Sequence, residues 1–106
     1  MEKKESIFVR TLGAFPAVKV IDFLLENYLF DYTKAEIARE TGISRVTLDI
    51  FWKEFVARRM VVEKRRIGNG IMYKLNLQSP IVKKLRELDF VISSRNTEKH
   101  LEKAIM

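Results

Sequence analysis

Apolar residues recur at helical spacing in the first half of the chain, and the first such run begins at Pro16. The fixed φ of proline suits the first turn of a helix. One side of this predicted helix carries Ala17, Val20, Ile21, Leu24 and Tyr28, and a second side carries Val18, Leu25 and Leu29. A helix that is apolar nearly all round is buried from two directions. We therefore expect one side to face the domain core and the other side a partner subunit.

The next two helices are predicted by their caps. Thr33 and Glu36 have the spacing of a capping box, and Gly42 suits the position just past a helix end. Ser44 is a good N-cap for a third helix, expected from Arg45 to about residue 59. Its inner face carries Leu48, Trp52, Phe55 and Val56. Two short helices joined by residues 41–44 form a helix-turn-helix arrangement.

After residue 59 the pattern changes to that of a strand pair. The runs 60–67 and 71–77 are rich in β-branched and aromatic residues and flank Gly68-Asn69-Gly70. Asn-Gly is a strong hairpin signal, although the register stays open because either Val61 or Val62 can point inward. Ser79-Pro80 is expected to start a fourth helix, and Asn96-Thr97 to restart a short terminal one. The fourth helix carries the apolar stripe Ile81, Leu85, Leu88 and Ile92.

This order of elements predicts a fold that is mainly α with a β-hairpin wing: a winged helix-turn-helix with an additional C-terminal helix. We expect residues 1–14 to form an N-terminal segment and residues 15–78 the winged helix-turn-helix domain. Residues 79–106 are expected to form a C-terminal helical segment that serves dimerisation.

The positive charge is concentrated in one part of the chain. The formal net charge is +6, and residues 45–74 hold eight basic against three acidic residues, a net +5 that leaves +1 for all the rest. A polyanion-binding face requires such a concentration. The alternative, a solvated charged surface, stays open on charge alone.

The predicted DNA-binding residues follow from this arrangement. The N-terminal half of the second helix of a helix-turn-helix enters the major groove, and a hairpin beside it can meet phosphates or the minor groove. Backbone N–H groups at helix starts also hold phosphates. The candidates are Thr33, Lys34, Ser44, Arg45, Val46, Thr47, Asp49, Ile50, Lys53, Lys64, Arg65, Arg66, Asn69 and Lys74.

The chain resembles the small archaeal winged-helix regulators related to the MarR and ArsR groups. The resemblance covers about residues 12–92. It rests on residues 20–27, 30–38, 42–45, Thr47-Leu48, Trp52, Arg65, Ile67-Gly68 and 73–76, and on the helix opened by Pro80. It implies DNA binding, usually as a dimer, and usually repression or autoregulation.

A homodimer is expected because a single domain of this size reads too few base pairs to be found in a genome. The N-terminal run Ile7, Phe8, Val9 and Leu12 has no other assigned role. The alternative is that this run and the terminal helix complete a single core. The candidate interface residues are Ile7, Phe8, Val18, Leu25, Leu29, Leu85, Leu88, Ile92, Leu101 and Ile105.

Other classes of protein are disfavoured. There is no cysteine and a single histidine, His100, which leaves no disulfide, thiolate site or histidine cluster. No pattern of nucleophile and base is present, so we expect no enzyme, metal or cofactor. The apolar run near the N-terminus is too short for a signal peptide or a membrane span, which predicts a cytoplasmic protein.

Two functions remain. The first is a sequence-specific regulator that binds double-stranded DNA, favoured by the basic hairpin. The second is a winged-helix module for protein interaction within a transcription or chromatin assembly. Asp49 and Ile50 favour the second function, because related proteins often carry polar, basic or aromatic residues there.

Overall fold

The structure is a computed structural model that describes residues 5–105, and the side chains of residues 5–94. The helices and strands run α1 (Ile7–Leu12), α2 (Pro16–Glu26), β1 (Asp31–Tyr32), α3 (Lys34–Thr41), α4 (Arg45–Ala57), β2 (Val61–Ile67), β3 (Gly70–Leu75) and α5 (Pro80–Ile105). The strands form one antiparallel sheet in the order β1-β3-β2. This arrangement is the predicted winged helix-turn-helix with an added C-terminal helix.

The predicted caps of the helix-turn-helix are confirmed. Thr33 Oγ1 accepts from the backbone N–H of Glu36 at 3.1 Å, and Glu36 Oε1 accepts from the N–H of Thr33 at 2.9 Å. Gly42 ends α3 with φ of 72°, in the left-handed region that glycine enters without steric cost. Ser44 then caps α4 by accepting from the N–H of Thr47 at 3.1 Å.

The hairpin forms where expected but turns one residue earlier than the Asn-Gly signal indicates. Ile67 pairs with Gly70, so the two central residues are Gly68 and Asn69. Gly68 has φ of 58°, and a glycine at the first central position is the feature of a type II′ turn. The register is also settled, because Val61 is 2% exposed and Val62 is only half-buried.

Among the described residues, α1 and the start of α5 pack into the same core as the middle of the chain. Phe8 from α1 and Val82 from α5 are as fully buried as Val20, Ile37 and Leu48. The other buried members of this cluster are Leu24, Leu25, Ala38, Trp52, Phe55, Met60, Val61, Tyr73 and Leu75. Trp52 lies edge-on to Tyr73 within it, with ring centroids 5.2 Å apart. Phe8 therefore completes the core of the chain, as the alternative to a dimer interface predicts for this residue.

Two features of the termini differ from the sequence expectation. Residues 7–12 form a helix, with Ser6 as its N-cap, in a segment to which no element is assigned above. The predicted restart at Asn96-Thr97 is wrong, because α5 runs without interruption from Pro80 to Ile105. Asn and Thr inside a helix each cost well under about 1 kcal/mol relative to alanine. No glycine or proline follows Pro80 to break the helix.

Candidate nucleic-acid interface

Helix α4 is fixed by its inner face and exposed on its outer face. Leu48, Trp52 and Phe55 are buried in the core, so the rotation of the helix about its own axis is set by packing. The side chains of Val46 and Ile50 point away from the core and are each 75% exposed. Arg45, Asp49 and Lys53 are exposed beside them.

An ion pair ties α4 to α3 across the turn. Lys34 Nζ contacts Asp49 Oδ1, and the lysine side chain is only 25% exposed. The hydrogen bond from Lys34 lowers the pKa of Asp49 below its ordinary value. The negative charge of Asp49 is therefore offset by a lysine on the neighbouring helix.

The wing presents basic side chains along β2. Residues 63–67 are all exposed, and a bulge between Glu63 and Arg65 breaks the strict alternation of sides. Arg65 Nε donates to Asp31 Oδ2 at 3.0 Å and joins the wing to β1. This bond lowers the pKa of Asp31 and raises the pKa of Arg65. Lys64 and Arg66 take part in no ion pair within the described part of the chain.

The junction between α4 and the wing holds a backbone conformation that is unusual for its residue. Arg59 has φ of 58°, the single positive value among the non-glycine residues described. The N–H of Arg59 donates to the carbonyl of Val56 at 3.0 Å, and that of Met60 to the carbonyl of Phe55 at 2.9 Å. This is a Schellman motif with arginine where glycine is usual, as at Gly42 in α3.

The predicted DNA-binding residues fall on, or directly beside, elements that contact one another: α3, α4, β2 and β3. Ten of them are exposed: Ser44, Arg45, Val46, Asp49, Ile50, Lys53, Lys64, Arg65, Arg66 and Asn69. The four half-buried ones are Thr33, Lys34, Thr47 and Lys74. Thr33 and Thr47 are engaged in helix caps, and Lys34 is engaged by Asp49. The sequence reasoning missed Asp31 as the partner of Arg65, because 34 residues separate them.

The candidate interface residues at the other end of the molecule differ in burial. Phe8 and Leu25 are buried, and Val18, Leu85 and Ile92 pack partly buried against the same core. Ile7 is half-buried, whereas Leu29 is 65% and Leu88 40% exposed. The side chains of Leu101 and Ile105 lie outside the described residues. The core of the single chain thus uses much of the apolar surface that the sequence suggests for a partner.

Exposed apolar residues remain around the end of α2 and along α5. Phe30 is 61%, Phe90 72% and Val91 48% exposed. Phe90 and Val91 line an open groove between the two helices that Leu25 and Tyr28 also line. The guanidinium of Arg86 lies over the Tyr28 ring, 4.7 Å from its centroid.

Neither a metal-binding cluster nor a membrane span is evident in the described part of the chain. Its potential metal-ligating side chains form no group of three or more that would hold a metal ion. None of the described helices combines the length and the apolar character that crossing a bilayer requires.

Comparisons with known proteins support the fold. No family model and no curated protein matches the sequence. Among solved structures, the chain is similar to the crystal structure of the AntR antimony-specific transcriptional repressor, with a TM-score of 0.57 and 18% identity. The match covers 76% of this chain and 68% of that one. At this level of identity the likeness shows that the chain adopts the winged-helix fold of that repressor.

Proposed function

We propose that this protein binds double-stranded DNA sequence-specifically, as a homodimer, and represses transcription in the cytoplasm. The observation that carries the proposal is the fixed outward face of α4 beside a wing with exposed basic residues. A helix of this kind is the element that enters a major groove in helix-turn-helix proteins. The fold shared with a transcriptional repressor is consistent with this function.

The electrostatic part of the proposal is tested by the salt dependence of binding to duplex DNA. If roughly five phosphates are contacted, log affinity falls with log salt at a slope near −4 to −5. Arg66→Ala is expected to reduce this slope by about 0.9 and to weaken binding about eightfold at 0.1 M salt. Lys84→Ala is the control, because Lys84 is an exposed cation on α5. Fluorescence anisotropy gives both quantities, and a flat salt response contradicts the proposal.

Asp49 supplies a test of base recognition. Its second carboxylate oxygen is available to accept from a cytosine amino group, while Lys34 holds the first. Asp49→Ala is then expected to relax preference at one base pair by about 1–3 kcal/mol and to leave non-specific binding equal or tighter. Selection of preferred duplexes from a random library with both proteins measures this. If the preferred DNA sequence is unchanged, Asp49 does not recognise a base and serves only as the ion-pair partner of Lys34.

The homodimer is proposed through the exposed residues around α2 and α5. Leu29, Leu88 and Phe90 are large apolar side chains in water, and a shared two-fold contact would bury them. Phe90→Glu is expected to convert a dimeric mass in light scattering to a monomeric one, because it places a charge in an apolar contact. Thr11→Glu, which adds the same single negative charge at an exposed position of α1, tests whether added charge alone has this effect. A monomeric wild-type chain at micromolar concentration refutes the dimer.

The antimony specificity of the similar repressor is not part of the proposal. Soft ions favour thiolate ligands, and this chain contains no cysteine. A second candidate function is a protein-interaction module, which the exposure of Val46 and Ile50 favours. The same binding experiments decide between them, because a module of that kind has no need of duplex DNA.

A further inference from the structure

The most outward stripe of α4 begins with two branched apolar side chains. Val46 and Ile50 lie one turn apart on the same side of the helix, and Lys53 continues the stripe one turn further. Each of the two apolar side chains is 75% exposed. They contribute almost nothing to the core, which the opposite side of α4 supplies with Leu48, Trp52 and Phe55. Their chemistry is therefore directed at something outside the protomer.

The surroundings of this pair indicate the kind of partner. Arg45 and Lys53 are exposed on either side of it, and the one acid among them, Asp49, is paired with Lys34. The apolar surface is two side chains wide, whereas patches that dock proteins usually reach several hundred Å². A small apolar feature inside a cationic surface matches a polyanion that carries isolated methyl groups. Duplex DNA has this character in its major groove, where each thymine presents a 5-methyl group.

We infer that Val46 and Ile50 read thymine 5-methyl groups in the major groove, an inference that rests on the proposed DNA binding. Residues four apart on a helix are separated by roughly 6 Å along its axis, and successive base pairs by roughly 3.4 Å. The two side chains therefore reach methyl groups within about two base-pair steps of each other. The preferred half-site contains two closely spaced thymines beneath α4, flanked by phosphates within reach of Arg45 and Lys53.

The test removes the methyl group and leaves the rest of the DNA unchanged. A preferred duplex is selected from a random library with the full chain, and each thymine is replaced in turn by deoxyuridine. Two positions in each half-site are each expected to lose about fourfold in affinity for the missing methyl. The other thymines are expected to tolerate the replacement. Anisotropy titrations at one fixed salt concentration give the affinities.

Variants assign the effect to residues. Val46→Ala and Ile50→Ala are each expected to lose the sensitivity to deoxyuridine at one position and to keep it at the other. Val56→Ala is the matched control, since Val56 lies at the far end of α4 and is 39% exposed. This control is expected to respond to deoxyuridine as the wild type does. The melting temperatures of all three variants check that each one folds.

The outcomes separate this inference from the function on which it rests. Wild-type protein that binds thymine and deoxyuridine duplexes equally well overturns the inference and leaves DNA binding intact. Retained sensitivity in both Val46→Ala and Ile50→Ala also overturns it. Failure of the wild type to bind any duplex at low salt refutes the DNA-binding proposal itself, and a protein partner for the α4 face then takes its place.

Discussion

The pKa values of aspartates at the two ends of the molecule are shifted in opposite directions. At the end formed by α3, α4 and the wing, Asp49 contacts Lys34 and Asp31 contacts Arg65, and both carboxyl groups have a lowered pKa. Between α1, α2 and α5, burial raises the pKa of Asp22 and of Asp89. Asp22 accepts a hydrogen bond there from Ser6 Oγ at 2.8 Å.

The two ends therefore differ in whether a carboxylate has a cationic partner. Both aspartates at the α4 end are matched by a cation from another element. The exposed Arg45, Lys53, Lys64 and Arg66 therefore give that end its positive sign. The α1–α5 end instead combines desolvated carboxyl groups with exposed apolar side chains. A surface of the first kind suits a polyanion, and one of the second kind suits another protein surface.

The largest expected effect tests whether α1 belongs to the core or to an interface. Phe8→Ala is expected to lower the free energy of unfolding by about 3–5 kcal/mol, because Phe8 is 1% exposed and fills the core. Phe15→Ala is the matched control, with the same atoms removed from a side chain that is 66% exposed and lies outside the proposed dimer contact. Urea denaturation measures both variants. Equal losses for the two variants would contradict the burial pattern.

Arg59→Gly separates stability from binding at the α4 end. Glycine adopts the left-handed φ of this position without the steric cost of a side chain, so we expect a gain of about 0.5–1 kcal/mol in the free energy of unfolding. DNA affinity is expected to fall, because an exposed cation beside the wing is lost. Denaturation and anisotropy on the same preparation report both changes. Loss of stability would show that the Arg59 side chain makes a contact that outweighs its backbone cost.

Asp31→Asn tests whether Asp31 weakens DNA binding by neutralising Arg65 of the wing. Removal of the acid frees the Arg65 guanidinium and takes one negative charge from the surface, so affinity for random duplexes is expected to rise roughly two- to fivefold. Glu87→Gln makes the same change of charge at the α5 end, where Glu87 pairs with Lys84, and is expected to leave affinity unchanged. An equal rise in both variants would mean that only the net charge matters.

Asp22→Asn gives the smallest effect and tests the α1–α5 end. The raised pKa of Asp22 means that ionisation disfavours the folded state, so its contribution to stability falls as pH rises from below about 4 through the folded pKa. Asparagine removes this fall and still accepts from Ser6. The variant is expected to be more stable than the wild type at pH 7 by less than about 1 kcal/mol, because the group is partly exposed. Near pH 3 the two are expected to be equally stable, and a difference that persists there would point to a cause other than ionisation.

Much of the helix-turn-helix was predictable because its signals are local. The capping box of Thr33 and Glu36, the glycine after α3 and the Ser44 cap each act within four residues. Helical spacing also placed Leu48, Trp52 and Phe55 correctly on the inner face of α4, but it was wrong for Val56, which is 39% exposed. The turn of the wing lies one residue earlier than predicted. Either glycine of Gly68-Asn69-Gly70 can take a positive φ, and the pairing of Ile67 with Gly70 selects Gly68.

Local signals along the chain were enough to establish the helix-turn-helix with its caps, the hairpin, the start of α5 and the concentration of positive charge. They did not predict α1 or the uninterrupted run of α5. The pairing of charges came from the folded arrangement instead. Lys34 meets Asp49 from a different helix, and Arg65 meets Asp31 across the sheet. Tertiary packing also assigned Phe8 and Leu25 to the core of the chain and left Leu29 exposed. Helical spacing marks the apolar side of a segment, but which surfaces meet there depends on contacts between residues far apart in the chain.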